Sequence, residues 1–345
     1  MITRDDLTAA VADGLLSEAQ AAGLIARAES RAGVVDADDE RFRFLNGFND
    51  VFLALGITLI AAAFVSFIFF VGNGWVVVAV AAIAAMWGLA EIVIRRYRAV
   101  LPAIFISLAI SMFAALLLGE VFSSAAEGRN FIDHFSHLGI AAAFSLLAFV
   151  LVFYWRFRLP FTLGTIGGLG YTCAFVVVAY FAGAKTAAAW GQIITLCSGL
   201  VLFAAAVAYD FSDSRRLTRR SDCAFWLHIV AAPMITHGLL APFATRLDMA
   251  AVLVILAGFA FFAVASLALD RRAPLVSILV YLGIAIGYVL AAVAMKSALT
   301  IGATLMVLGI IVVTMGLAWR PLRRMLLSPF ARFAFVGKLP PLHPA

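Results

Sequence analysis

Charge is what this chain of 345 residues has least of: charged side chains make up 13% of it, against 65% hydrophobic. An ordinary soluble domain, with about a quarter of its residues charged, is excluded by that balance. Cysteine is scarce too. Cys173, Cys197 and Cys223 all fall within apolar runs, so neither a disulfide framework nor a CxxC metal site is indicated. No cofactor motif stands out. No soluble face concentrates basic residues, so the net charge of +6 does not describe a nucleic-acid-binding protein. A cleavable signal peptide is not recognisable, because the first apolar run begins near residue 51 behind an acidic segment. The first span is expected to act as the insertion signal. The intramembrane protease signatures GxSG, GxGD and the paired glutamates of CAAX-type proteases are absent, which disfavours an intramembrane enzyme and assigns no catalytic residue.

Long apolar runs are what the chain has instead. A helix needs about 20 apolar residues to cross a hydrocarbon core of about 30 Å. Ten stretches qualify: 51–71, 75–94, 100–118, 137–154, 160–181, 189–209, 223–243, 249–269, 275–295 and 299–319. They are continuous rather than alternating, so the expected fold is all-α, a polytopic helix bundle and not a barrel. With the N-terminus placed in the cytoplasm, 21 of the Lys and Arg residues fall on the cytoplasmic side and 4 on the other. That asymmetry predicts ten spans in a bacterial inner membrane with both termini inside and the lipid bilayer as first partner.

Residues 1–33 read as a cytoplasmic helical hairpin. Thr3 with Asp6 and Ser17 with Gln20 have capping-box spacing, and Gly14 stands where the first helix should stop. Its apolar stripe is too thin for a core of its own, which suggests a protein partner. Residues 34–47 form an acidic linker, 48–319 the membrane domain, and 320–345 a basic, interfacial segment with a loose tail.

A parallel internal repeat is suggested by recurring landmarks. Asp50 opens the first span and Asp222 the seventh; Pro102 and Pro274 follow 52 residues after each. Trp155-Arg156 closes the fourth span and Trp319-Arg320 the tenth. Spans one to four and seven to ten would then be equivalent, with any solute site near their interface.

Few residues carry chemistry. Glu91 is the one formal charge inside the ten stretches, four residues before Arg95, a spacing that suits an ion pair on one helix face. The alternative is a functional acid. Asp50 and Asp222 read as first-turn acids stabilised by the helix dipole, or else as lining for a vestibule. His228 and His237 lie nine residues apart on opposite helix faces, so they cannot share a metal unless the helix breaks at the intervening Pro233. They read as interhelical hydrogen-bonding groups or as members of a solute pathway. "DHFSH" (133–137) has the spacing for Asp133, His134 and His137 to share a turn but no further ligand, so no metal site is assigned. In "GTIGGLG" (164–170), Gly164 and Gly168 form a GxxxG pair suited to close helix packing, the alternative being a backbone opening beside a path.

The segments "LTAAVADGLLSEAQAAGLIARAES", "RFRFLNGFNDVFLALG" and "SDCAFWLH" resemble uncharacterised bacterial multi-pass integral membrane proteins with a short helical hairpin before about ten spans. That resemblance implies a fold and no activity. The ten-span layout also resembles the drug/metabolite transporter group. That group is built from inverted five-span halves, whereas the repeat suggested here is parallel. The functional expectation is a permease-like transporter of a small neutral or weakly charged solute, with a cavity touching His228 or His237. A sensor or scaffold acting through the hairpin is the alternative.

Overall fold

A computed structural model describes residues 48–124, 137–213, 216, 218–292 and 297–330, with 14, 16, 17, 20, 24, 332, 333, 336, 339 and 340. Every regular element among these residues is helical. Ten helices are long and apolar enough to cross a membrane: α1 (Phe48–Phe70), α2 (Trp75–Ala90, which flanking 3-10 and π turns extend to Gly72–Arg96), α3 (Val100–Ser124), α4 (His137–Phe157), α5 (Pro160–Ala182), α6 (Ala184–Ser212), α7 (Arg219–Thr245), α8 (Met249–Leu269), α9 (Ala273–Ala292) and α10 (Ser297–Leu317). A short amphipathic helix, α11 (Trp319–Leu327), follows. Outside the bundle, Gly14 has a φ of +72°, and Ser17 and Gln20 exchange the two reciprocal bonds of a capping box at 2.9 and 3.2 Å.

Two apolar cores organise the bundle. One joins α1 to α4 through Ile57, Met86, Ile106, Ile110, Phe113 and Phe153. Trp87 meets Phe149, Phe153 and Phe157 edge-on within it, at 6.2, 5.7 and 5.5 Å. The other joins α7 to α9 through Ile235, Val252, Ile255, Phe262, Ile278 and Tyr281. The helix pairings match between halves: α1 packs on α3, α2 on α3 and α3 on α4, as α7 does on α9, α8 on α9 and α9 on α10.

Burial repeats as well. Pro102, Ala103, Ile106, Ala109, Ile110 and Phe113 are buried in α3, and the residues 172 positions on, Pro274, Leu275, Ile278, Tyr281, Leu282 and Ala285, are buried in α9. Asp50 and Asp222 are separated by the same 172 residues.

α7 buries a larger share of its most apolar stretch than any other span, while α10 buries none of its own. α7 makes its widest contact with α6 and also packs on α5, α8 and α9. Glycines let α6 and α7 approach. A Cβ at Gly199 would stand 2.9 Å from Met234 Cβ, and one at Gly238 would stand 2.8 Å from Leu196 Cβ. Without a hydrophobic drive between helices in lipid, such backbone proximity and interhelical hydrogen bonds hold the pair. The carbonyl of Gly238 is the one that Pro242, four residues on, cannot bond. Gln192 of α6 donates to it at 2.8 Å.

Candidate functional site

All four non-glycine residues with positive φ among the described residues lie in turns after even-numbered spans: Arg98, Arg158, Arg216 and Asp270, at 51–54°. Glycine is the usual occupant at such helix ends, and a larger residue there costs about 1–3 kcal/mol each. Four strained corners therefore share one end of the bundle, the end where the arginines gather. They belong to two different constructions.

The first is a buried ion network between α6, α7 and α8. Asp210, near the end of α6, accepts from Arg271 through both carboxylate oxygens, Nε lying at 3.2 and 3.3 Å and Nη2 closer still. Arg271 Nη2 also reaches Ser221 O and Oγ at 3.1 and 3.3 Å. His228 Nε2 lies 2.8 Å from Asp210 Oδ2; the exposures of the His228, Asp210 and Arg271 side chains are 0, 4 and 2%. His228 Nδ1 has no hydrogen-bond partner. A carboxylate oxygen only accepts, so in this contact Nε2 is the donor to Asp210. Next to this group, Arg216 meets Asp270 Oδ2 at 3.1 Å and the Asp270 carbonyl at 2.6 Å. Trp319 Nε1 donates to Asp270 Oδ1 at 2.7 Å, and Arg323 Nε caps the Leu267 carbonyl at 3.1 Å. Arg216 and Arg323 satisfy the last carbonyls of α8 and face Asp270, while Arg271 faces Asp210.

The second construction is a cavity of about 450 Å³ where the ends of α2, α3, α4 and α5 meet the start of α7. Arg95, Arg98, Arg156, Arg158 and Arg219 line it, with Asp222 the one acid on its wall. Ile94, Val100, Phe157, Leu159 and Trp226 give it an apolar floor. The end of α2 widens into a π turn over Glu91–Arg96, a local expansion frequent at functional positions, which carries Arg95 toward the cavity. Glu91 bonds Arg95 at 3.1 Å, as its spacing allows, and also Arg156 of α4 at 2.9 Å.

The sequence candidates divide between these places. Asp222 is on the cavity wall, Glu91 pairs two of its arginines, and His228 is in the ion network. α7 starts four residues earlier than its apolar run, so Thr218 is its N-cap and Asp222 sits in the first turn. His237 turns instead toward α9, its Nδ1 2.7 Å from Tyr281 Oη, and neither histidine lines the cavity. Asp50 is buried in the first turn of α1. Gly164 packs against α7, where a Cβ would stand 3.3 Å from Val230 and 3.4 Å from the Trp226 carbonyl; Gly168 has no such neighbour within 4 Å. Pro233 lies inside α7, where Thr236 Oγ1 donates to the Pro233 carbonyl at 3.1 Å. Asp133, His134 and the His137 side chain lie outside the described residues. Among the described residues no three His, Cys, Asp or Glu groups gather as a metal site would need.

Sequence reasoning missed Asp210 and the burial of Arg216, Asp270, Arg271 and Arg323. The sixth apolar run ends at 209, one residue before Asp210, but the helix continues to Ser212. The fold defines a multi-pass α-helical membrane bundle. No protein-family model, curated protein or solved structure matches the chain, so its functional reading rests on this geometry.

Proposed function

We propose that this protein is a permease-like carrier of a bacterial inner membrane, with both termini cytoplasmic, built from two parallel four-helix repeats. The observation that carries the reading is the position of the cavity. It lies between the first four-helix group and α7, the helix that opens the second, at the arginine-rich end of the bundle. Repeat-built carriers hold their solutes between repeats near the midplane, so the cavity is read as the entrance to such a site from that face. Equivalent pairings and burial at the common offset of 172 residues support the repeat. Retention of 21 basic residues on one side supports the orientation. Five guanidinium groups on the wall favour an anionic solute over the neutral one expected from the sequence. The histidines of α7 then serve as interhelical ties to α6 and α9.

The test uses a chain whose three cysteines are replaced by serine and in which Ala103, buried on the cavity wall, becomes cysteine. A carrier exposes Ala103→Cys to a membrane-impermeant thiol reagent from both faces, in inside-out and in right-side-out vesicles. Labelling from the arginine-rich face alone would overturn the carrier reading.

A further inference from the structure

The two halves of the bundle treat one structural position in opposite ways. Asp270 and Arg98 are 172 residues apart, both have left-handed backbone, and both occupy the turn after the second helix of their four-helix group. In the second half that position holds an acid. Its carboxylate receives Arg216 and Trp319, Arg323 approaches to 3.9 Å, and the residue is buried. In the first half the position holds a base, and the same end of the bundle is an open cavity with five arginines.

Two carboxylates oppose those five arginines: Asp222 on the wall and Glu91 behind it. Glu91 takes Arg95 and Arg156 through one oxygen. Arg158 Nε reaches the Trp155 carbonyl, at 3.2 Å, and the guanidinium groups of Arg98 and Arg219 make no hydrogen bond or ion pair among the described residues. Arginines serving only to orient the chain need not converge from the ends of three helices and two turns on one concavity. Nor do they need left-handed corners, which Arg98 and Arg158 occupy at a conformational cost.

We propose that the cavity is a binding site for a phosphate ester, whose oxygens take among the first half's arginines the place that the Asp270 carboxylate takes between Arg216 and Arg323 in the second. Phosphate fits this wall better than a carboxylate does. It carries up to two negative charges and offers several acceptor oxygens to guanidinium forks arriving from different directions. The apolar floor of Ile94, Val100, Phe157 and Trp226 accommodates the organic part of the ester, and about 450 Å³ is the size of a small-molecule site. The ester is either a soluble metabolite or an anionic lipid headgroup entering from the leaflet. The assignment deepens the carrier reading but does not require transport.

Arg98 and Arg158 supply the variants, because glycine suits their backbone conformation better than arginine does. Arg98→Gly and Arg158→Gly should therefore fold at least as stably as the parent while losing a phosphate contact. The full chain in detergent is titrated with inorganic phosphate, glycerol 3-phosphate and dihexanoylphosphatidylglycerol, with dihexanoylphosphatidylcholine as the zwitterionic control, and its Tm is followed. A ligand bound to the folded chain raises Tm with concentration. The expected result is a rise with at least one anionic phosphate, and an apparent Kd weakened about 10- to 100-fold in each glycine variant. A response to the two soluble phosphates identifies a soluble ester, and a response to the phosphatidylglycerol alone identifies a headgroup.

A second readout spares the arginines: the same ligand should protect Ala103→Cys from the thiol reagent in the otherwise cysteine-free chain. The proposal is overturned if no anionic phosphate raises Tm or protects Ala103→Cys, or if the glycine variants respond like the parent. Protection with one-sided labelling keeps the site and discards transport. Two-sided labelling with no phosphate effect does the reverse.

Discussion

Asp210 is a buried carboxylate set between two cation-forming side chains. Its carboxylate faces Arg271 and His228 with almost no water contact. Buried ions of this kind contribute little net stability as an intact pair, yet removing one partner strands the other in a medium of low dielectric. Asp210→Ala should therefore destabilise the bundle by about 3–5 kcal/mol, measured by reversible unfolding in detergent. Asp210→Leu combined with Arg271→Met should recover most of that loss. If Asp210→Ala unfolds like the parent, the network contributes no cohesion. Arg98 and Arg158 are the contrasting case, since their strained backbone is exposed and its neighbourhood holds an excess of positive charge.

α7 illustrates how a helix tolerates residues that lipid would reject. It carries two prolines, two histidines and an aspartate, and surrounds them with α5, α6, α8 and α9. The carbonyl left open by Pro242 is restored by Gln192 across the α6–α7 contact. Gln192→Leu should cost about 1–3 kcal/mol by leaving that carbonyl unpaired. In a Pro242→Ala background, an N–H is available in the helix itself, and the same substitution should cost much less. Equal costs in the two backgrounds would show that Gln192 acts by packing alone. Gly238→Ala should be severe, because the added Cβ would stand 2.9 Å from the Leu196 Cα, a backbone atom that cannot swing aside.

For the molecule as a whole, the even-span turns form a common polar end. Cysteines placed at Arg220 and Arg272, both exposed, should react with an impermeant reagent from one and the same face, and a cysteine at Arg246 from the opposite face. Labelling of Arg220→Cys and Arg272→Cys from different faces would break both the topology and the repeat. At this scale the molecule is asymmetric. The polar end of α7–α10 closes around buried acids, Asp270 of its own and Asp210 of α6, and that of α1–α4 leaves a basic cavity beside α7.

The spans were legible in the residues because the requirement they meet is local: a membrane helix must bond its own backbone and present about 20 apolar side chains in succession. α8 runs over the same 249–269 as its apolar stretch for that reason. The Glu91–Arg95 pair follows from one turn of helix geometry. The partners of the loop charges were not legible. Arg271 and Arg272 are adjacent at a helix end, yet the first is buried and the second exposed. Arg271 finds Asp210 across 61 residues of chain, and Arg158 meets Arg219 only around a shared cavity. Hydropathy ranks each residue against water or lipid. Whether a guanidinium ends up neutralised or left facing a void depends on which helix ends the packing brings together, and only the assembled bundle fixes that.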